Sequence, residues 1–240
     1  MESGELAGES TGELIGTGRS ADVFALDGEW VLRRYRNGGD AGAEARVMAY
    51  LAGCGYPVPE VRDPVASGPG ARTDLVMRRL RGPSMLGALA DGTLTPEEAG
   101  AILVDLLHRL HALPARRSAD PAHRVLHLDL HPDNVMLTGA GPVVIDWGNT
   151  EEGPPGLDQC MSALILAQVA VAPGPYAAPA RSVLVSLLAH LAPLDAGCLA
   201  AARARRADDR GLTAAEVGLL DDAVGLLRDL KSVGQGPGRG

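Results

Sequence analysis

Short apolar runs separated by glycine-bearing turns dominate the first third of the chain. Between Glu13 and Arg36 the sequence reads ELIGTGRSADVFAL and then EWVLRRYR. Apolar and polar positions alternate within each run, and this pattern predicts three antiparallel strands. Asp27-Gly28, inside LDGE, is a hairpin signal between the second and third. The next stretch, DAGAEARVMAYLAGCG, changes period: Ala45, Met48, Ala49 and Leu51 fall on one helical face before Gly53 and Gly55 stop it. Two further strand candidates follow, around Val65 and at DLVMRRL.

From residue 82 onward the helical period takes over. TPEEAGAILVDLLHRLHAL opens with Thr95 as N-cap, Pro96 at the first helical position and Glu98 completing a capping box. Its Ala99, Ile102, Leu103, Leu106, Leu107, Leu110 and Leu113 form an apolar stripe at helical spacing. Two short strands, NVMLT and PVVIDW, interrupt the helices, which resume at Gly156 and continue to about Val233. A second capping box, Thr213 to Glu216, is expected to open the last of them. The pattern therefore predicts an α+β chain in two lobes: a β-rich one over 13–80 and a helical one over 81–233. The ends, 1–12 and 234–240, are expected to fray.

Composition narrows the partners. Apolar residues make up 46% of the chain and charged ones 22%, too apolar for a disordered protein. The formal charge of −8, without a basic block longer than RRYR or RARR, argues against a nucleic-acid partner. The longest apolar run, MSALILAQVAVA at 161–172, is too short to span a bilayer, so no membrane partner is expected. The acidic N-terminus MESGELAGESTGEL lacks the apolar segment of a secretory signal, which predicts a cytoplasmic protein. Cys54, Cys160 and Cys198 are too scattered for a zinc ribbon or paired disulfides and are expected to be small core residues. Of 22 basic side chains only Lys231 is a lysine, so any role usually taken by lysine falls to arginine.

The densest chemistry lies in VLHLDLHPDNVML, residues 125–137. His127 and His131 are four apart, the spacing of a helical zinc pair, but Pro132 follows at once, the flanks are strand-like and no glutamate stands between them. What remains is a loop in which Asp129 and Asn134, five residues apart, can face one centre, with Asp146 of VVIDWG following Asn134 by 12 residues. A carboxylate, an amide and a second carboxylate on tight loops suit a hydroxyl-activating base and two oxygen ligands for Mg²⁺, the parts of a phosphoryl-transfer site.

The order H-x-D-x-H-x-x-N followed by I-D-W resembles the aminoglycoside phosphotransferase and choline kinase group of the protein-kinase-like fold, over about Glu13 to Asp158. The resemblance implies a bilobal fold and use of ATP and Mg²⁺. It implies Asp129 as the catalytic base, Asn134 and Asp146 as metal ligands, and His127 and His131 as braces of the loop. The glycine usual after the first histidine is Leu128 here, which bears on close local packing. GTGRSADV matches the glycine-rich loop, with Gly16, Gly18 and Ser20 leaving room for phosphate, although such a segment is also a plain hairpin turn. Arg33, in WVLR, stands where the family has its phosphate-clamping lysine, and Glu44 is placed to pair with it. Arg34, one residue on, is expected on the opposite, solvated face. At the hinge, DLVMRRLRG, the resemblance implies that the Arg78 carbonyl and Leu80 N–H read adenine and that Met77 walls it; otherwise Met77 and Leu80 are core residues. Asp158 is implied to stabilise the catalytic loop.

Only about ten residues separate Asp146 from the next helix, too few for a peptide-docking segment, so the expected partner is a small hydroxylated acceptor. Asp195, Asp208, Asp209, Glu216, Asp221, Asp222 and Asp229 form either an acidic wall favouring a cationic acceptor or an ordinary solvated helix face. Two readings follow: a small-molecule kinase, or a nucleotide-binding pseudokinase without turnover, for which Arg33 is the argument.

Overall fold

The computed structural model describes residues 12–36, 40–62 and 73–234. The strand expected around Val65 and nearly all of the two frayed ends lie outside the described residues. Strands β1 (Glu13–Thr17), β2 (Ala21–Ala25) and β3 (Trp30–Tyr35) form where the alternation predicted them. With β4 (Asp74–Arg78), after helix α1 (Ala41–Gly53), they make an antiparallel sheet in the order β1-β2-β3-β4. The β2–β3 turn is closed by the Asp27 carboxylate, which accepts the N–H groups of Glu29 and Trp30, and not by a left-handed glycine. Helix α1 buries Ala41, Glu44, Ala45, Val47, Met48 and Leu51. Ala49, expected on that face, is exposed, because the buried stripe advances from 41 through 44–45 to 48. Gly55, at φ +76, turns the chain out of α1 so that the Tyr56 N–H returns to the Leu51 carbonyl.

The second lobe begins with α2 (Met85–Ala90) and α3 (Pro96–His111), the latter closed by the predicted Thr95–Glu98 capping box. Strands β5 (Arg124–Leu126), β6 (Val135–Thr138), β7 (Gly141–Val144) and β8 (Glu151–Gly153) form two small antiparallel pairs, β5 with β8 and β6 with β7. Five helices complete the chain: α4 (Pro155–Val171), α5 (Ala177–His190), α6 (Ala196–Ala207), α7 (Ala214–Gly218) and α8 (Leu220–Gly234). The apolar run 161–172 supplies most of α4, every residue of which from Cys160 to Gln168 is buried. It is the central helix of the lobe, packed by α5, α6 and α8, and no helix among the described residues is long and apolar enough to cross a membrane. The Thr213–Glu216 capping box does form, but it caps only α7; the long last helix starts separately at Leu220 after the turn at Gly218-Leu219. Cys160 is buried as expected, whereas Cys198 is only partly covered and Cys54, beyond the end of α1, is exposed.

Candidate active site

The loop after β5 is held from beneath. Asp158, fully buried in the first turn of α4, accepts the His127 N–H at 3.0 Å, the Leu128 N–H at 2.7 Å and the imidazole of His111 at 2.9 Å. Burial penalises its charge, but the hydrogen bond and charge of His111 and the bonds from the loop outweigh that and hold its carboxyl below the usual range. These bonds fix Leu128 at φ 63, a left-handed conformation that explains why glycine is usual there. The His127 ring lies against Trp147 and makes two bonds: Nε2 donates to the Ile145 carbonyl at 3.0 Å, and Nδ1 accepts the Asp129 N–H at 3.2 Å. Both need the neutral Nε2–H tautomer, so His127 is a brace and not a metal ligand.

Asp129, Asn134 and Asp146 are brought together by backbone as well as side chains. Asn134, in the short 3₁₀ turn Pro132–Asn134, donates its Nδ2 to the Asp129 carbonyl at 2.8 Å and approaches Asp129 Oδ2 at 3.4 Å. The Ile145 N–H bonds the Asn134 carbonyl at 3.0 Å and so delivers Asp146 beside it, in a left-handed conformation that aspartate tolerates. Asn134 Oδ1 and Asp146 Oδ2 have no hydrogen-bond partner among the described residues. Burial pushes the Asp129 carboxyl up to about 6, against the lowering effect of the Arg206 charge. Burial likewise lowers His131 to about 4, leaving it neutral beside Asp129.

Arg33, buried on β3, bridges α1 and the segment that follows β7. Its Nη1 bonds Glu44 Oε1 at 3.0 Å and its Nη2 bonds Asp146 Oδ1 at 2.6 Å. Burial opposes its charge, yet Glu44 and Asp146 raise its pKa above the usual arginine range. Glu44 is also bonded by the Tyr35 hydroxyl and by the Trp147 N–H at 3.0 Å, so α1 is tied directly to the segment after β7. Arg34, expected to be solvated, instead makes a two-pronged ion pair with Asp74 on the neighbouring strand, because the β3–β4 register sets the two opposite each other.

The glycine-rich loop is a tight turn in which the Gly18 N–H bonds the Ala21 carbonyl. Neither Gly16 nor Gly18 has positive φ, and a Cβ at either would meet its neighbours only at ordinary contact distance. Their glycine character therefore serves access to the loop and not its internal geometry. Ser20 contributes a carbonyl that accepts the Arg36 N–H. At the hinge, the Arg78 N–H is taken by the Glu60 carbonyl, while the Leu80 N–H has no partner among the described residues. Met77 is half-buried at the edge of the core.

Sequence reasoning assigns no role to Tyr35, Trp147 or Arg206, and offers Arg19 only as an alternative phosphate clamp. Tyr35 and Trp147 act through Glu44. Arg19, at the tip of the glycine-rich loop, crosses the cleft to the Gly211 carbonyl at 3.1 Å and to Glu216 at 2.9 Å. Arg206, from α6, places Nη1 3.8 Å from Asp129 Oδ1. No motif marks Arg206, and Arg19, although inside GTGRSADV, meets Gly211 and Glu216 only through the packing of the second lobe. The acidic residues of this region are largely engaged. Asp195 caps α6, Glu216 caps α7 and pairs with Arg19, Asp209 pairs with Arg206, and Asp221 pairs with Arg203. Asp222 and Asp229 lie on an exposed face of α8.

A family model described as the phosphotransferase enzyme family matches residues 11–124 and 112–181. Comparison with the curated proteins gives no match. Among solved structures, a putative aminoglycoside phosphotransferase from Ralstonia eutropha aligns with TM-score 0.58 at 15% identity, covering 92% of this chain and 93% of that one. The ADP-bound aminoglycoside phosphotransferase APH(2'')-Ib aligns with TM-score 0.53 at 14% identity, covering 90% and 91%. Amicoumacin kinase hAmiN in complex with AMP-PNP, Ca²⁺ and Ami aligns with TM-score 0.52 at 13% identity, covering 92% and 89%. These likenesses show the protein-kinase-like fold.

Proposed function

The chain belongs to the phosphotransferase enzyme family and is a small-molecule kinase, and from that premise we propose that it transfers the γ-phosphate of ATP, with Mg²⁺, to a hydroxyl of a small molecule, using Asp129 as base. The observation that carries the proposal is the closeness of Asp129, Asn134 and Asp146, with Arg33 bonded to Asp146. A carboxyl held near 6 by burial is ionised at neutral pH yet basic enough to accept a hydroxyl proton as the oxygen attacks phosphorus.

The residues fit a hard cation. Asn134 Oδ1 and Asp146 Oδ2 are oxygen donors without hydrogen-bond partners among the described residues. Among the described residues there is no group of three or more His, Cys, Asp and Glu side chains that could form an all-protein cage. Mg²⁺ characteristically takes one or two side chains and completes its shell with water and phosphate. When bound, Mg²⁺ neutralises charge on the transferred phosphoryl group. The chain's own residues do the rest. Asp158 and His127 hold the loop rigid, the glycine-rich loop leaves backbone N–H groups open to phosphate, and Leu80 offers a free N–H to adenine. Arg33 supplies the cation that the family takes from lysine. Aminoglycosides, other amino sugars, macrolides and amino alcohols are the acceptor classes to try first.

The competing reading, a nucleotide-binding pseudokinase, draws support from Arg33, which already spends a nitrogen on Asp146. One experiment separates the two: ATP consumption with Mg²⁺ across amino sugars, macrolides, amino alcohols, sugars and sugar acids, for wild type and Asp129→Asn. Turnover by wild type that Asp129→Asn abolishes, with ATP binding largely intact, is the expected result. Wild-type rates in the variant refute the base assignment. Tight nucleotide binding by wild type without turnover of any acceptor establishes the pseudokinase.

A further inference from the structure

Taking the kinase reading as its basis, we propose that Arg206 is a specificity-determining residue. It selects an acceptor that presents an anionic or lone-pair oxygen group beside the hydroxyl to be phosphorylated, and it rejects one that presents an ammonium there.

Arg206 reaches Asp129 from the acceptor lobe. The two oxygens of Asp129 face different surroundings: Oδ2 turns to Asn134 at 3.4 Å, on the side of the proposed metal ligands, while Oδ1 lies 3.8 Å from Arg206 Nη1. A hydroxyl seated against Asp129 therefore has the guanidinium as a neighbour. The guanidinium is fixed before any acceptor arrives. Its Nε bonds Gln168 Oε1 at 3.0 Å, its Nη1 bonds Asp209 Oδ2 at 3.2 Å, and the side chain is only 13% exposed. Gln168, buried in α4, is itself held by donating to the Glu216 carbonyl at 2.6 Å. Two of the three guanidinium nitrogens are thus committed, and Nη2, with two N–H groups, has no partner among the described residues.

A guanidinium offers donors only. The group that meets Nη2 must bring lone pairs, and a carboxylate or phosphate oxygen does so with charge assistance. An ammonium, itself donor-only, would leave those N–H groups unpaired in a mostly enclosed site. The nearby acids do not reverse this preference. Asp209 spends Oδ2 on Arg206 and Oδ1 on the Gly211 N–H, and Glu216 is taken by Arg19 and its own cap.

The test uses one sugar framework at several charges: gluconate, glucose 1-phosphate, glucose and glucosamine, each with ATP and Mg²⁺, for wild type, Arg206→Met and Arg206→Lys. Wild-type kcat/KM is expected to be higher for the anionic members than for glucosamine by about ten- to a hundredfold, the range of a charge-assisted hydrogen bond. Arg206→Met should level the series and Arg206→Lys should keep part of it, a pattern that loss of packing alone does not produce. Carboxylate and phosphate are separated by which of gluconate and glucose 1-phosphate is preferred. Turnover that favours glucosamine, or an order unchanged in Arg206→Met, overturns the inference and leaves the kinase reading standing. A second readout covers an absence of transfer, namely thermal stabilisation of the protein loaded with a non-hydrolysable ATP analogue. If gluconate stabilises wild type and not Arg206→Met, the specificity assignment holds, and the kinase reading is decided separately by the wider acceptor panel. If neither readout depends on charge, the inference is wrong.

Discussion

Replacing Leu128 by the glycine usual at this position in the resembling family should destabilise the protein, although it removes backbone strain. Leu128 sits at φ 63, and a side chain held there is strained by roughly 1–2 kcal/mol. That much is returned on substitution by glycine. The Leu128 side chain, however, is 2% exposed and part of the main core cluster. Truncating a leucine in such a place costs about 2–5 kcal/mol, and the added freedom of glycine in the unfolded chain costs about 0.5–1 more. Packing therefore outweighs strain, and Leu128→Gly is expected to lose about 2–4 kcal/mol, or roughly 4–16 °C in Tm for a chain of this size. Leu128→Ala makes the comparison sharper. It loses the same packing and keeps the strain, so the order of stability should be leucine, glycine, alanine, with glycine above alanine by about 0.5–1 kcal/mol. In ordinary helical or strand positions alanine is the more stable of that pair. Urea unfolding of the three proteins without ligand measures the order directly. A glycine variant as stable as wild type would show that the side chain contributes little, and an alanine variant above glycine would show that the backbone is not strained.

The other predictions bear on the charged groups of the cleft. Asp158→Asn places an amide against two backbone N–H donors and should destabilise by about 3–5 kcal/mol, the cost of breaking a buried charged network, measured by urea unfolding. Arg33→Ala strands the buried Glu44 carboxylate and should cost a similar amount, about 3–5 kcal/mol, while lowering kcat/KM for ATP; an unchanged kcat/KM moves the phosphate clamp to Arg19. With its carboxyl near 6, Asp129 should give a kcat/KM for the acceptor that falls about tenfold per pH unit below that value and levels above it. Stability moves the opposite way. The folded chain holds this proton more tightly than the unfolded one, so the contribution is complete below about 3.9 and is lost as pH rises through about 6. Asp129→Asn should therefore be inactive and, by thermal unfolding at neutral pH, more stable than wild type.

The parts of this structure that the sequence made legible are those whose determinants are local. The α3 capping box, the strand alternation from Glu13 to Tyr35, and the spacing of Asp129, Asn134 and Asp146 depend on residues within a turn or two of each other or on loops too short to rearrange. The misses depend on pairings that spacing does not encode. Arg34 looked solvated because its partner Asp74 is 40 residues away and is fixed only by the β3–β4 register. Ala49 looked buried because a four-residue pattern fits more than one helical phase, and the phase was set by Glu44 being drawn inward to Arg33. Arg206 meets Asp129 only because α6 packs on α4 and carries its last turn over the loop.

That contrast bears on why arginine, and not lysine, suits position 33. An ammonium in place of Arg33 would have one nitrogen to share between Glu44 and Asp146, whereas the guanidinium assigns a separate nitrogen to each. Glu44 at the same time receives the Trp147 N–H, one residue after Asp146. The helix of the first lobe and the aspartate of the second are consequently coupled twice, through Arg33 and through backbone, and movement of α1 must alter the setting of Asp146. Arginine at this position joins the lobes as well as supplying the charge we propose for binding phosphate, so a lysine substituted for it should preserve the charge and loosen the junction. Arg33→Lys is accordingly expected to retain more kcat/KM for ATP than Arg33→Ala while still losing stability to unfolding, a separation that a purely electrostatic role for Arg33 would not give.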